Sequence, residues 1–274
     1  LHSRSRRQRQ MCIRDRGPQG CPPCLMRQVI AMHGWSGDST AWAPWERHFS
    51  HRGWLWQSGE RGYGNRQACD PCWSEPTGTE ASQSPLLSGP PRRVVIGHSL
   101  GPHLINTAVL RRATDVVLLA SFGRFVPEGP EGRALRTALK GMLKSIGGAG
   151  EATMLRAFLK RAAQPAGLEG LPPGPERQGL SQQGRECLRA DLDRLIATTG
   201  LPSGFPKTAR VLVVEGAEDA IVAPAASREH LQALTHHLEQ TPAHWQLSGV
   251  GHALLVPDLL VRVQQWLDHS GRDC

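Results

Sequence analysis

The stretch "VVIGHSLGPHL", residues 94–104, constrains this chain more than any other. A β-branched apolar run of this kind reads as a strand buried on both faces, the way strands of a parallel sheet do. It stops at a lone serine fenced by Gly97 and Gly101, so the turn there must demand very little side-chain volume. A helix is expected to follow over 100–112. Pro102 falls in its first turn, where a missing N–H costs nothing because those donors have no intrahelical partner.

The rest of the chain fits that beginning. Short apolar runs alternate with longer segments of helical period, the pattern of a parallel sheet covered by crossover helices. Six strands are expected, at 28–32, 53–57, 93–96, 115–120, 210–214 and 244–247, most of them rich in Val, Ile, Leu or Trp. A last helix is expected over 258–267, capped by Asp258 and burying Leu259, Leu260, Val263, Trp266 and Leu267 along one side. Residues 65–92 are polar and rich in Pro, Gly and Ser, and read as an irregular loop. Residues 124–205 form a helical block, interrupted by the Pro/Gly-rich "QPAGLEGLPPGPERQG", between two sheet strands. The expected organisation is therefore an α/β core made of 26–123 and 206–274, with 124–205 inserted as a helical cap or lid.

Composition sets outer bounds. With 274 residues, 39% hydrophobic and 20% charged, one large core with an insertion is the default. No apolar run approaches the roughly 18–20 residues of a membrane helix, and no signal-like apolar core stands at the amino terminus, so a cytoplasmic, monomeric protein without a membrane partner is expected. Of the eight net positive charges, five come from residues 1–25, which hold six Arg and one Asp. That segment lacks periodicity and its "MCIRDR" resembles translated adapter DNA, so it is set aside as a non-native or disordered tail before Met26, and no nucleic-acid partner is expected. Two Cys-x-x-Cys pairs, Cys21/Cys24 and Cys69/Cys72, have the form of zinc ligands. Their separation is too long for a ribbon, and the odd total of seven cysteines suits reduced thiols, so no metal is expected.

Gly97-His98-Ser99-Leu100-Gly101 fits the G-x-S-x-G nucleophile elbow, a strained strand-to-helix turn that projects a serine hydroxyl into a cleft. The following helix would turn its amide end toward developing negative charge. Serine at its free pKa is a weak nucleophile, so a base must take its proton and a third group must orient that base. Both are expected later in the chain. "ARVLVVEGAED" supplies a strand followed by Asp219 in a turn, with Glu215 and Glu218 as competing acids; "SGVGHALLVP" places His252 in a glycine-rich turn before the last helix. Of the other histidines, His230, His236 and His237 fall on a polar helix, His98 packs beneath the elbow, and His269 is near the terminus. A tetrahedral oxyanion needs two converging backbone N–H donors. Leu100 offers one, and Trp35, after the strand ending in His33-Gly34, offers the other.

These motifs together resemble the alpha/beta-hydrolase superfamily: HGW at 33–35, RGYG at 61–64, GHSLG at 97–101, GAED at 216–219 and GVGH at 249–252. The HGW start, the short amino terminus and the helical insertion are most similar to the biotin-pathway esterases that demethylate pimeloyl-acyl-carrier-protein methyl ester. The resemblance implies an acyl-ester substrate, a Ser99–His252–Asp219 triad and no cofactor. Pro102 departs from a pattern that often has glycine there, and HGW and GHSLG also occur in general carboxylesterases, acyltransferases and cofactor-free haloperoxidases. A non-catalytic binding module on the same fold is the alternative of another class.

The inserted block carries a charge pattern of its own. Residues 131–161 hold seven Lys or Arg against two Glu. Arg133, Arg136, Lys140 and Lys144 recur at helical spacing opposite Leu135, Leu139, Met142, Leu143 and Ile146; Arg156, Lys160 and Arg161 alternate with Met154, Leu155, Phe158 and Leu159. A solvated basic surface accounts for the cations. The alternative is a docking face for an acidic acyl carrier protein, speeding and orienting encounter, and the resemblance implies that same partner. On that reading Phe158 is a wall of the acyl tunnel.

Overall fold

The computed structural model describes residues 27–75 and 91–269; the expected tail, Cys21, Cys24 and Met26 lie outside the described residues. In chain order the elements are β1 (Arg27–Met32), α1 (Ala43–Ser50), β2 (Leu55–Ser58), β3 (Arg92–His98), α2 (Gly101–Leu104), α3 (Thr107–Leu110), β4 (Asp115–Leu119), α4 (Gly129–Ser145), α5 (Glu151–Ala163), α6 (Pro175–Gln178), α7 (Gln182–Ala197), β5 (Arg210–Gly216), α8 (Pro224–His237), β6 (Ala243–Leu247) and α9 (Leu259–His269). All six expected strands are present.

They form one sheet in the order β2-β1-β3-β4-β5-β6, and every neighbouring pair is parallel. The apolar runs are continuous because both faces are covered. Ile30, Met32, Val95, Leu118 and Val213 point into one core, shared with α2, α3, α4 and α7; Val29, Ala31, Ile96, Leu119 and Val214 point into the other, shared with α1 and α9. In α9, Leu259, Val263 and Leu267 are buried, a one-sided stripe that seats the helix on the sheet. At the end of the sheet remote from the elbow, buried Asp115 of β4 takes Arg92 of β3 at 3.1 Å and also bonds Arg210 of β5, tying three adjacent strands in register.

One expected element is divided. The helix expected over 100–112 is two single-turn helices: Ile105 takes an extended backbone with ψ 140°, and the Asn106 side chain accepts from the Ala108 N–H to cap a new start. A short polar residue that bonds the backbone two residues on favours a cap over a helix interior. The turn at Ser99 is thus followed by a single turn of helix and not by a long one.

Residues 124–205 supply α4 to α7 between β4 and β5, with α4 packed on α7 and α5 on α6. The described part of the polar segment, 65–75, holds no helix or strand beyond an antiparallel bridge between Glu60 and Cys69.

Candidate active site

From β1 the chain steps outward to β2, then returns across β1 to continue through β3, β4, β5 and β6. The order reverses between β1 and β3, and in an open parallel sheet such a switch point leaves a crevice at the carboxyl ends of the two strands. The loop after β1 carries His33-Gly34-Trp35 and the turn after β3 carries Ser99, so the topology alone brings those two segments together.

Ser99 has φ +54°, a left-handed backbone that costs a non-glycine residue about 1–2 kcal/mol. The strain is held from both sides. The Ser99 N–H donates to Leu119 O at 2.8 Å, and the Ser121 hydroxyl donates to Ser99 O at 2.8 Å. The flanking glycines are explained by close approach: a methyl group on Gly97 would stand 2.4 Å from Pro102 Cγ, and one on Gly101 would stand 2.3 Å from Met32 O. The fence in the sequence is a pair of close contacts, with the Pro102 ring and with the Met32 backbone, that admit no Cβ.

His252 and Asp219 arrive from the other half of the chain. His252 lies 3.0 Å from the Ser99 hydroxyl through Nε2 and 2.8 Å from Asp219 Oδ2 through Nδ1. An ionised carboxylate only accepts, so Nδ1 carries the proton and Nε2 is left to accept from Ser99 Oγ. The second Asp219 oxygen accepts the Ile221 and Val222 N–H groups at 2.7 and 2.9 Å. Burial alone would raise the Asp219 pKa; the His252 hydrogen bond and charge and the two amides outweigh it and leave the carboxyl below its ordinary value. Both competing acids are engaged elsewhere, Glu215 with His244 at 2.9 Å and Glu218 with the Gly249 N–H at 3.0 Å.

An ideal Cβ on Gly34 would lie 2.9 Å from Ser99 Cβ, so the loop carrying Trp35 runs directly against the turn that holds Ser99. Among the described residues, neither the Trp35 nor the Leu100 backbone N–H has a hydrogen-bond acceptor in the protein. The loop itself is firmly held. His33 Nδ1 donates to Gly34 O at 2.9 Å and its Nε2 accepts the Arg61 N–H at 3.3 Å. Glu60 lies 3.7 Å from His33 and accepts from the Ser39 and Gly62 amides. Its burial would raise its pKa, but these partners take it down to about 2.

Three further histidines, His230 buried and His98 and His103 half-buried, are more engaged than the sequence pattern suggested. His98 does not merely pack beneath the elbow: its Nε2 donates to the His252 carbonyl at 3.0 Å. Burial, and then the neighbouring His252, push its pKa down to about 4. His103 donates to Phe122 O at 2.8 Å. His230, read as part of a polar helix, is 1% exposed; burial pushes its pKa down to about 4.

A cavity of about 510 Å³ opens onto Ser99 and His252. Trp35 and Phe158 form one wall as a T-shaped pair with ring centroids 5.0 Å apart, and the Trp35 indole N–H donates to Leu188 O of α7 at 2.8 Å. Trp42 and Trp45 come from the other side of the loop, while Leu159 and Ala162 of α5 continue the apolar lining. The inner side of α5 therefore lines the cavity. Its outer side carries exposed Arg156, Lys160 and Arg161, and Arg133, Arg136, Lys140 and Lys144 are exposed on α4. Arg161 is engaged, its Nε donating to Ala220 O next to Asp219 at 2.6 Å.

The sequence reading missed the tie between the loop after β2 and the inserted helices. Arg61 makes a bidentate pair with Asp191 of α7 at 2.7 and 2.8 Å, and the Tyr63 hydroxyl donates to the same carboxylate at 2.7 Å. Burial and the Asp191 charge raise the Tyr63 pKa well above its ordinary value. Asp191 falls on the buried stripe of α7, between Leu188 and Leu195, and that placement together with the RGYG segment, whose Arg and Tyr need a buried acceptor, is the signal that could have found it. Among the described residues no cluster of His, Cys, Asp and Glu could hold a metal, and no helix is long and apolar enough to cross a membrane. Cys69 and Cys72 are exposed and free.

A model of the alpha/beta hydrolase family matches residues 29–263. No curated protein sequence matches the chain. Solved structures similar to it include 2-hydroxy-6-oxo-6-phenylhexa-2,4-dienoate hydrolase from Rhodococcus sp. strain RHA1, at 15% identity, with a TM-score of 0.59 over 89% of this chain and 90% of that one. An esterase from Exiguobacterium antarcticum is similar at 15% identity and TM-score 0.57 over 88% and 89%. MenH from S. aureus is similar at 13% and 0.56 over 88% and 93%. At these identities the likeness is one of fold.

Proposed function

Because the chain belongs to the alpha/beta hydrolase family, we propose that it is a serine-dependent carboxylic ester hydrolase in which Ser99 is the nucleophile, His252 the base and Asp219 the group that orients the base. The observation that carries this reading is the continuous hydrogen-bonded path from Ser99 through His252 to Asp219, at 3.0 and 2.8 Å, at the edge of an apolar cavity.

His252 Nε2 takes the Ser99 proton as the hydroxyl oxygen attacks the ester carbonyl, forming a tetrahedral adduct. Asp219 stabilises the imidazolium so formed, and the unpaired Trp35 and Leu100 amides receive the oxyanion. His252 then protonates the departing alkoxide, which leaves as an alcohol. A water molecule, deprotonated by His252, attacks the acyl-enzyme, and collapse of the second adduct returns the proton to Ser99 and releases the acid.

The finer assignment is pimeloyl-acyl-carrier-protein methyl ester, with methanol as the leaving alcohol. It is supported by the arrangement of α5, apolar toward the cavity and basic outside, which suits an acyl chain passing beneath a surface that an acidic carrier protein covers; residues 124–205 then act as a lid. Purified protein is assayed for methanol release from that ester and for hydrolysis of p-nitrophenyl butyrate, beside Ser99→Ala. Turnover of both that vanishes in the variant is the expected result. Turnover of the free ester alone removes the carrier assignment, and no turnover of any ester by folded protein removes the hydrolase reading.

A further inference from the structure

Four non-glycine residues among those described adopt positive φ: Ser36 at +64°, Ser99 at +54°, Ala120 at +45° and Leu254 at +47°. Three of them, Ser36, Ser99 and Leu254, line the cavity. Residues held in this sparsely populated region cost of order 1–3 kcal/mol and persist where the surroundings fix them, often for a functional reason. Ser99 has its reason in the elbow. Ser36 has none from folding: it stands between Trp35 and Gly37, in a loop that already uses glycine at two positions, and glycine would take its backbone without penalty.

The Ser36 side chain also has no structural employment. The residue is 4% exposed, yet no hydrogen bond engages its hydroxyl. Nor is that oxygen sealed in the interior: among the described residues the enclosed unpaired side-chain polar atoms are on Trp42, Trp54, Arg93, Glu215 and His230. A buried residue whose one polar atom is unpaired and still open can reach only the cavity it lines. A substrate that enters this apolar cavity takes water away from that hydroxyl, and a ligand oxygen then restores a partner that would otherwise be lost.

Resting on the serine-hydrolase reading, we propose that Ser36 is a substrate-binding residue whose hydroxyl hydrogen-bonds an oxygen of the bound ester, next to the Trp35 amide. The ligand class is an oxygen acceptor on an otherwise apolar acyl compound, which matches a cavity walled by Trp35, Trp42, Trp45 and Phe158. The residue contributes to recognition of the ester group and not to that of the acyl tail.

Two variants separate this role from a structural one. Ser36→Gly removes the hydroxyl and relieves the backbone, whereas Ser36→Ala removes the hydroxyl and keeps the strain. kcat/KM is measured on p-nitrophenyl butyrate, melting temperature is recorded for each variant, and the wild type is treated with a fluorophosphonate that reports Ser99 by intact mass. Both variants are expected to lose kcat/KM by roughly five- to tenfold, the size of one neutral hydrogen bond, while Ser36→Gly melts at or above the wild type. Wild-type kcat/KM in Ser36→Gly overturns the proposal, as does a loss confined to a variant that melts lower. If the wild type neither turns over nor takes the phosphonate, the hydrolase reading has failed and the role of Ser36 falls with it.

Discussion

Each of Ser99, His252 and Asp219 owes its place to a different local device. Ser99 is set by a left-handed turn pinned at N–H and C=O, His252 by its carbonyl bond to His98, and Asp219 by two amides of the turn that follows it. Ser99→Ala is expected to lower kcat by roughly 10⁴-fold or more with an unchanged melting temperature, read by steady-state kinetics and calorimetry. Asp219→Asn is expected to lose on the order of 10³–10⁴-fold, because an amide facing Nδ1 no longer fixes the tautomer that leaves Nε2 free to accept. Gly101→Ala belongs to another class: its methyl would meet the Met32 carbonyl at 2.3 Å, so reduced yield and a lower melting temperature are expected before any change in chemistry is measurable.

Between elements, the link that matters most is the one from Arg61 and Tyr63 to Asp191, which fastens α7 of the inserted block to the loop beside the site. Asp191 is 1% exposed, so Asp191→Ala strands the guanidinium and the phenol; a destabilisation of about 3–5 kcal/mol is expected in urea unfolding, in line with breaking buried pairs. On the outer surface, Arg133→Glu with Lys140→Glu should raise KM for a carrier-bound ester and leave p-nitrophenyl butyrate unaffected; equal effects on both would remove the docking role. The inner strands were legible because two-sided burial writes itself as runs of Val, Ile and Leu, whereas the edge strands β2 and β6, LWQS and AHWQL, carry a weaker signal; Ser99, Asp219 and His252 were legible because each follows a strand-like run. The break at Ile105 was not, since a helix period runs through it and only the Asn106 cap betrays it. The burial of His230 and the role of Asp191 were hidden for a related reason: a polar residue on a helix reads as solvated until its surroundings, distant in sequence, are in place.

Across the whole molecule, His98 and His230 are buried in the neutral form, each with a pKa near 4 against about 6.5 in an unfolded chain. The unfolded state therefore binds more protons between those values, and stability must fall as pH drops from about 6.5 toward 4, by up to about 3 kcal/mol for each histidine. Melting temperatures at pH 7.5, 6 and 5 should decline in that order, and less steeply in His230→Gln than in the wild type. Asp219, held below its ordinary value, stays charged throughout that range, so activity lost there on brief, reversible exposure is not a loss of its carboxylate. The central claim is the convergence of hydroxyl, imidazole and carboxylate into a working nucleophile, and covalent trapping tests it most directly. Folded protein treated with a fluorophosphonate at neutral pH and mapped by peptide mass spectrometry should carry one adduct, on Ser99, with labelling slowed strongly in His252→Ala. An unlabelled Ser99 in folded wild-type protein, or labelling indifferent to His252, would contradict the account.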